Sequence, residues 1–297
     1  MAKSRLIQEA RRKGDDWTEA MKYSLSLYRK DDLAVAGAVI LSCLFFIAIF
    51  AYQIAPYPQD AYVSHFQNRL LPPSQTHLFG TDEAGRDLLS RVIIGARISL
   101  PMAFVIVLTS MMFGMPLGLI AGMMSGKVES VIMKLADIWI AVPSLVFALA
   151  VSAILGPSLT NSVIAIAFSA WPWHARFIRA EVWHIKQETY MEAAESIGAS
   201  KLYIAVKEAL PNALTPYIVK ITTDLGYAIL LLATLGFLGL GAQTPTPEWG
   251  TIAGEGRTFL PNSWWISTMP GIFIFLSVFA FNVVGDGLRN VLGIEEI

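Results

Sequence analysis

The chain has 297 residues, 55% of them hydrophobic and only 15% charged, with a formal net charge of −1. A soluble domain carries about 25% charged residues, so this shortfall points to lipid, and near-neutrality without a basic tract removes the electrostatic footprint of nucleic-acid binding. The single cysteine, Cys43, lies in an apolar run and excludes a disulfide framework and a cysteine-rich zinc site.

Residues 1–32 are polar and rich in charges of both signs. No short apolar core with a small-residue cleavage site follows them, so the first apolar run is expected to remain in the mature protein as a signal anchor. Trp17, Met21, Leu25 and Tyr28 recur at helical spacing beside Lys22, Arg29 and Lys30. That pattern predicts an interfacial helix over 17–30. Met21, Tyr23, Leu25 and Leu27 also alternate as in a strand, which leaves a loosely ordered tail open.

A helix needs about 20 apolar residues to cross the hydrocarbon core, and backbone groups in lipid must be paired internally, which favours helix over strand. Six runs qualify: 33–54, 98–123, 131–155, 162–178, 217–240 and 267–284. The expected fold class is therefore an all-α integral membrane protein with six transmembrane helices. The fourth run is the weakest, because Trp171-Pro-Trp173-His174 interrupts it. With the N-terminus in the cytoplasm, only Arg69, Arg86, Arg91, Arg97 and Arg257 of the 22 Lys and Arg residues fall outside. The positive-inside rule thus places both termini, including 285–297, and the segment 179–216 in the cytoplasm, with 55–97 and 241–266 outside.

In the first outer loop, Gly80-Thr81-Asp82 precedes Leu88, Leu89, Val92 and Ile93, which reads as a capped amphipathic segment near the outer face. The second span carries Gly114, Gly118, Gly122 and Gly126 at four-residue intervals. Such a nearly bare face serves close helix packing. Gly122-Met-Met-Ser-Gly126-Lys127 superficially resembles a phosphate loop, but its spacing is one short and no Ser or Thr follows the lysine. In the third span, Asp137 has Lys134 three residues away as a local partner. His174 is expected at the interface, and His65, His77 and His184 form no metal-ligand spacing.

A polar island of about forty residues separates the fourth and fifth runs. Its centre reads Tyr190-Met-Glu-Ala-Ala-Glu-Ser-Ile-Gly198, then 199–207, then Glu208-Ala-Leu-Pro211. Two short helices are expected, broken at Gly198 and stopped at Pro211, each too short to be stable alone. Met191, Ala194 and Ile197 make an apolar stripe on the first; Leu202, Tyr203, Val206 and Leu210 share a face of the second. This suits a helix pressed into a partner's groove. A lipid-surface hairpin fits less well, because the segment is nearly charge-balanced rather than basic.

In the fifth span, Asp224 lies at membrane depth beside Thr222 and Thr223, with Lys220 one turn earlier. An ionisable group there is a functional candidate by default, so Thr223 and Asp224 are candidate residues of a translocation path. Beyond it, Pro245 and Pro247 stiffen a turn, and Trp249, Trp264 and Trp265 are natural interface anchors.

Glu192-Ala-Ala, Gly198 and Leu210-Pro211 resemble the EAA loop of ATP-binding-cassette importer permeases, with Glu208 departing from the usual apolar residue or histidine. The run Gly80-Thr81-Asp82 to Gly85-Arg86-Asp87, the run Phe237 to Gly250, and Asp286-Gly-Leu-Arg289 resemble the dipeptide and oligopeptide branch of that family, closest to its C-type subunit. The resemblance implies a type I importer permease in the bacterial cytoplasmic membrane, with a core over 98–284. It implies a B-type permease partner, two ATPase subunits that carry the ATP and Mg, and an extracytoplasmic solute-binding protein. No cofactor would be bound by this chain. Glu192, Ala193, Ala194, Gly198, Tyr203, Leu210 and Pro211 would couple to the ATPase, and Pro247, Glu248 and Trp249 are candidates for binding-protein contact. Substrates of the branch include di- and oligopeptides, with nickel and glutathione systems as close relatives.

Two other classes stay open on the residues. An ion-driven secondary transporter would favour inverted repeats and broken midplane helices, and no convincing internal repeat is visible. A membrane-embedded enzyme would want paired aspartates or a His-Glu-x-x-His helix; Asp137 and Asp224 are the only deep acidic pair, and neither lies in such a motif.

Overall fold

The computed structural model describes Ser26 and residues 28–292; the interfacial helix expected over 17–30 lies almost wholly outside them. The described residues are helical, joined by turns and one isolated bridge between Thr81 and Asp87. Asp31 caps α1 (Asp32–Ile49) by accepting the Ala34 amide at 3.1 Å, which satisfies one of the donors a helix start leaves unpaired. A short α2 (Ala51–Ile54) continues it. α1 buries little beyond Ala34, Gly37, Leu41 and Leu44, and Leu33, Val39, Phe46 and Ile49 stay exposed along it.

α3 spans Leu88–Met123, 36 residues. At about 1.5 Å per residue it is ~54 Å long, well beyond the ~30 Å hydrocarbon core. It begins ten residues before the expected second span (88 against 98) because Asp87 caps it, accepting the Ser90 amide at 2.8 Å. The cap is thus Asp87, not the Gly80-Thr81-Asp82 turn, whose aspartate is used for ion pairing.

The expected third span is two helices, α4 (Lys127–Ile140) and α5 (Ser144–Leu155), bent by 79°. Pro143 lies in the break, where it lacks an amide and keeps its predecessor out of helical geometry. The Trp139 indole, donating to the Phe168 carbonyl at 3.0 Å, fastens this elbow to α6 (Leu159–Ile185). Asp137 pairs with Arg176 of α6 at 2.6 Å, rather than with Lys134 on its own helix. A second ion pair, Arg179 to Glu129, ties the same two helices.

α3 and α6 pack with their backbones in close approach. A β-carbon at Gly114 would lie 2.4 Å from the Trp171 carbonyl oxygen, and one at Gly118 the same distance from that of Ala175. At Gly122 it would meet Val182 at 2.7 Å. Three glycines of the expected series therefore form the seam, as sequence spacing implied. Gly126 instead takes φ +89° with open space around it, and turns the chain into α4.

The island contributes α7 (Thr189–Ser196) and then merges with the fifth span. A single helix, α8, runs Lys201–Phe237, 37 residues. Pro211 does not stop it. The preceding stretch Ile204–Ala209 is π-helical, and the Leu210 amide donates to the Ala205 carbonyl, five residues back. The wider turn absorbs a proline that has no amide to donate. α9 (Trp249–Gly256) and α10 (Trp265–Leu292) complete the bundle.

Among the described residues, four helices are long and apolar enough to cross a membrane, namely α1, α3, α8 and α10, or five if the bent α4–α5 pair is one span. The remaining member of the expected six is α6, which is long but diluted by Asn161, Trp171-Pro172-Trp173-His174 and Arg176. Ser162, Ser169, Pro172 and His174 on it are buried against other helices, and the exposed Arg176 is paired with Asp137.

Candidate functional site

The turn between α7 and α8 is the first candidate. Gly198 sits at φ +82°, the left-handed conformation that glycine adopts without strain, and a β-carbon there would meet nothing within 4 Å. Around it Ile197, Leu202 and Tyr203 are exposed at 86%, 74% and 52%. Glu192, Ala193 and Pro211 are also exposed, and Ala194 and Leu210 half-buried. An apolar group this exposed beside a rigid turn is a surface suited to a partner.

The inner side of the same element is anchored. Met191 is buried in a cluster with Ile178, Val182, Ile204, Ala209, Ala213 and Tyr217, so the stripe expected on the first helix divides: Met191 faces the bundle and Ile197 faces out. Glu208 is half-buried close to Tyr190. Burial, followed by the carboxylates of Glu188 and Glu208, raises the Tyr190 phenol above its ordinary pKa. The atypical glutamate therefore lies on the flank of the surface, away from its exposed apolar tip.

The second candidate is a cavity of about 300 Å³ between α3, α5, α6 and α8. Its polar wall holds Ser110, Ser144, Ser169, His174, Lys220 and Asp224. His174, expected at the interface, is buried and joins three helices: Nε2 is 2.9 Å from Ser110 Oγ and Nδ1 is 2.8 Å from the Tyr217 hydroxyl. The Ser110 hydroxyl also reaches the Val107 carbonyl at 2.9 Å. Ser110 and Tyr217 thus engage both ring nitrogens, whichever of the two carries the proton. Lys220 donates to both Asp224 oxygens at 2.9 Å. Asp224 lines the cavity, but Thr223 does not; its hydroxyl donates back to the Lys220 carbonyl at 2.8 Å. Sequence reasoning missed His174 and Tyr217 because they are 43 residues apart.

At the other end of the bundle, Asp82, Arg86, Arg91 and Glu255 form a buried ion cluster. Arg91 lies 2.6 Å from both Asp82 and Glu255, and Arg86 lies 2.7 Å from Asp82 and 3.2 Å from Glu255. Burial would raise the Glu255 carboxyl, but Arg91, Arg86 and a Thr244 hydroxyl bond outweigh it and hold the group below its usual value. The cluster pins the loop that precedes α3 to α9.

The Pro247-Glu248-Trp249 turn proves internal, which corrects its assignment as a contact surface. All three are buried. Glu248 caps α9, accepting from the Gly250 and Thr251 amides at 2.9 and 2.8 Å and from Ser99 at 3.2 Å. The Trp249 indole donates to the Val92 carbonyl at 2.9 Å, and that of Trp265 to the Thr81 carbonyl at 3.2 Å. Only Trp264 of the three tryptophans is exposed enough to anchor at an interface. Exposed positions on this turn are Gln243, Thr244 and Pro245.

Residues 114–293 match the family described as binding-protein-dependent transport system inner membrane component, and residues 21–73 match the N-terminal TM domain of oligopeptide transport permease C. The chain is 42% identical to the probable D,D-dipeptide transport system permease protein DdpC of Escherichia coli K12, over 88% of this chain and 87% of that protein. It is 44% identical to the di/tripeptide transport system permease protein DppC of Pseudomonas aeruginosa, over 87% of each. Among solved structures it resembles a chain of the MetNI methionine ABC transporter in inward-facing conformations, with a TM-score of 0.55 at 21% identity, over 67% of this chain and 95% of that one. That likeness concerns the fold. With the helical bundle, the two domain matches and relatives of this identity together, the chain belongs to the inner-membrane permease components of binding-protein-dependent transport systems, in the branch with an oligopeptide permease C N-terminal domain.

Proposed function

We propose that the chain is one of two unlike permease subunits in an ATP-driven importer of peptides, and that the α7–Gly198–α8 turn couples it to an ATPase. The pore partner is a B-type permease; two ATPase subunits carry ATP and Mg, and a solute-binding protein delivers substrate from outside. In this reading the chain crosses the membrane six times, counting α6 and the bent α4–α5 pair, with both termini in the cytoplasm as the Lys and Arg distribution indicates. Peptide is the substrate class favoured by the names of its relatives.

The observation that carries the reading is a surface with two sides: Ile197, Leu202 and Tyr203 exposed outward, Met191 and Ile204 locked inward on the bundle. Such an element transmits displacement because α8 continues without interruption from the turn to Phe237. A nucleotide-driven closure of the ATPases would pull on the turn and tilt α8. Coupling then requires ATP to favour one global state over the other.

Gly198→Val tests this. A β-branched side chain in left-handed geometry costs about 1–2 kcal/mol, enough to redirect the turn without disturbing insertion. In proteoliposomes holding the complete transporter, ATP hydrolysis should persist while peptide uptake falls at least tenfold. Unchanged uptake per ATP hydrolysed would refute the lever, and ion-coupled uptake by this chain alone would refute the importer reading.

A further inference from the structure

The cavity beside α8 holds more hydrogen-bonding capacity than its own residues consume. An ammonium has three donors and a carboxylate about four acceptor positions. The Lys220–Asp224 pair uses two of each. Both side chains keep about a fifth of their surface open, 19% and 23%. His174, by contrast, is engaged on both ring nitrogens, by Ser110 and by Tyr217, and its Nδ1 stands 3.6 Å from Asp224, beyond hydrogen-bond range. The pair thus keeps one donor and two acceptor positions beyond its mutual bonds, with the ammonium 6.0 Å from the Phe177 ring centroid, and lines a cavity of about 300 Å³, at the small end of the ~300–1,000 Å³ seen for ligand pockets.

We propose that this cavity is a transit site for a short zwitterionic peptide, whose carboxylate meets Lys220 and whose ammonium meets Asp224. The proposal rests on the importer reading above and extends it to a site within this chain. Four charges arranged alternately, two from the chain and two from the ligand, sum to zero. No net charge has to be carried into the membrane, the condition that makes isolated ions there so costly.

Geometry limits the ligand. With hydrogen bonds of about 2.9 Å on each outer side of the pair, the ligand's ends stand from ~3 Å apart in a square to ~9 Å in a line. An extended dipeptide spans at most ~7 Å, within those limits, whereas longer extended peptides exceed them. Beyond the pair, the wall combines Ser110, Ser144, Ser169 and His174 with an apolar and aromatic part that includes Ile106, Trp173, Tyr227 and Leu231, which would admit apolar side chains. The competing explanation is that the pair only braces α8 and the cavity holds water.

Saturation-transfer NMR on the complete transporter in nanodiscs, without the binding protein, separates the two. The probes are dialanine and its blocked analogue, N-acetyl-dialanine amide. Dialanine should receive saturation and the blocked analogue at least fivefold less, a comparison that needs no variant. Asp224→Asn and Lys220→Met should each abolish the dialanine signal, with complex assembly confirmed by ATP hydrolysis. Equal transfer to both probes, no transfer to dialanine in the unaltered complex, or full signal in the variants would overturn the site. Failure of the importer reading would show separately, as absence of ATP-driven uptake whatever the NMR result.

Discussion

Glu248 and Glu255 stand at opposite ends of α9 and answer acid in opposite senses. Burial raises the Glu248 carboxyl despite its amide and hydroxyl bonds, so its ionisation works against the folded state and protonation relieves it. Glu255 is depressed from 4.5 by its arginines, which outweigh burial. Its contribution is complete above the unfolded value and is lost as pH falls through the lower folded one. Lowering pH through 4.5 and below should therefore loosen the loop before α3 from α9. Protection factors across residues 80–91, taken against the intrinsic exchange rate at each pH, should fall over that window in the unaltered protein and be low and nearly flat in Glu255→Gln; parallel curves for the two would exclude Glu255 as the cause. The Glu248 cap makes a separate prediction. Glu248→Ala leaves the Gly250 and Thr251 amides unpaired in a buried place, and should lower stability by about 1–3 kcal/mol, read as a fall in Tm of the purified protein.

At the scale of elements, the seam between α3 and α6 decides most. Gly118→Leu drives a side chain into the Ala175 backbone, whose carbonyl oxygen lies 2.4 Å from the β-carbon position. Overpacking of this kind costs about 1–3 kcal/mol or more, so folded yield in detergent should drop sharply. Gly126→Ala meets no neighbour and bears only the strain of its φ +89°, ψ −130° conformation, on the order of 1–3 kcal/mol, so yield should fall less than in Gly118→Leu. Equal losses at the two positions would show that conformation, not contact, governs the series. The glycine ladder was readable from the sequence because its four-residue period belongs to one helix. So was the break at Gly198, a local conformational demand. The elbow at Pro143 and the passage of α8 through Pro211 were not, since apolarity reports only that residues are buried or in lipid. Whether a proline bends, stops or is absorbed depends on how neighbouring turns can widen. Glu248 and Trp249 misled for a related reason: their partners Ser99 and Val92 lie about 150 residues earlier, where spacing carries no signal.

For the whole molecule, the question is how a displacement at one end reaches the other. Met191 joins α7 to the cluster on α6 and α8; the Ser110–His174–Tyr217 chain then links α8 to α3, and α3 reaches the ion cluster at its far end. Met191→Ala should cost about 2–5 kcal/mol locally and free α7 from this frame. In the assembled transporter, ATP hydrolysis would continue with transport reduced several-fold, and Met191→Leu would restore it. Full transport in Met191→Ala would mean that α8 alone suffices to carry the motion.

The ion cluster at the end of α3 also bears on how the protein is made. Asp82 and Arg86 precede Arg91 in the chain and reach the membrane with it, but Glu255 follows 164 residues later. At roughly 5–20 residues per second, translation delivers that second carboxylate some 8–30 s after the arginine. For that interval Arg91 has only one of its two acids, and the loop before α3 has no α9 to rest against. Translation therefore sets the earliest moment at which this face of the protein can close, and a chain cut short before α9 should leave the loop open to proteases that the finished protein excludes.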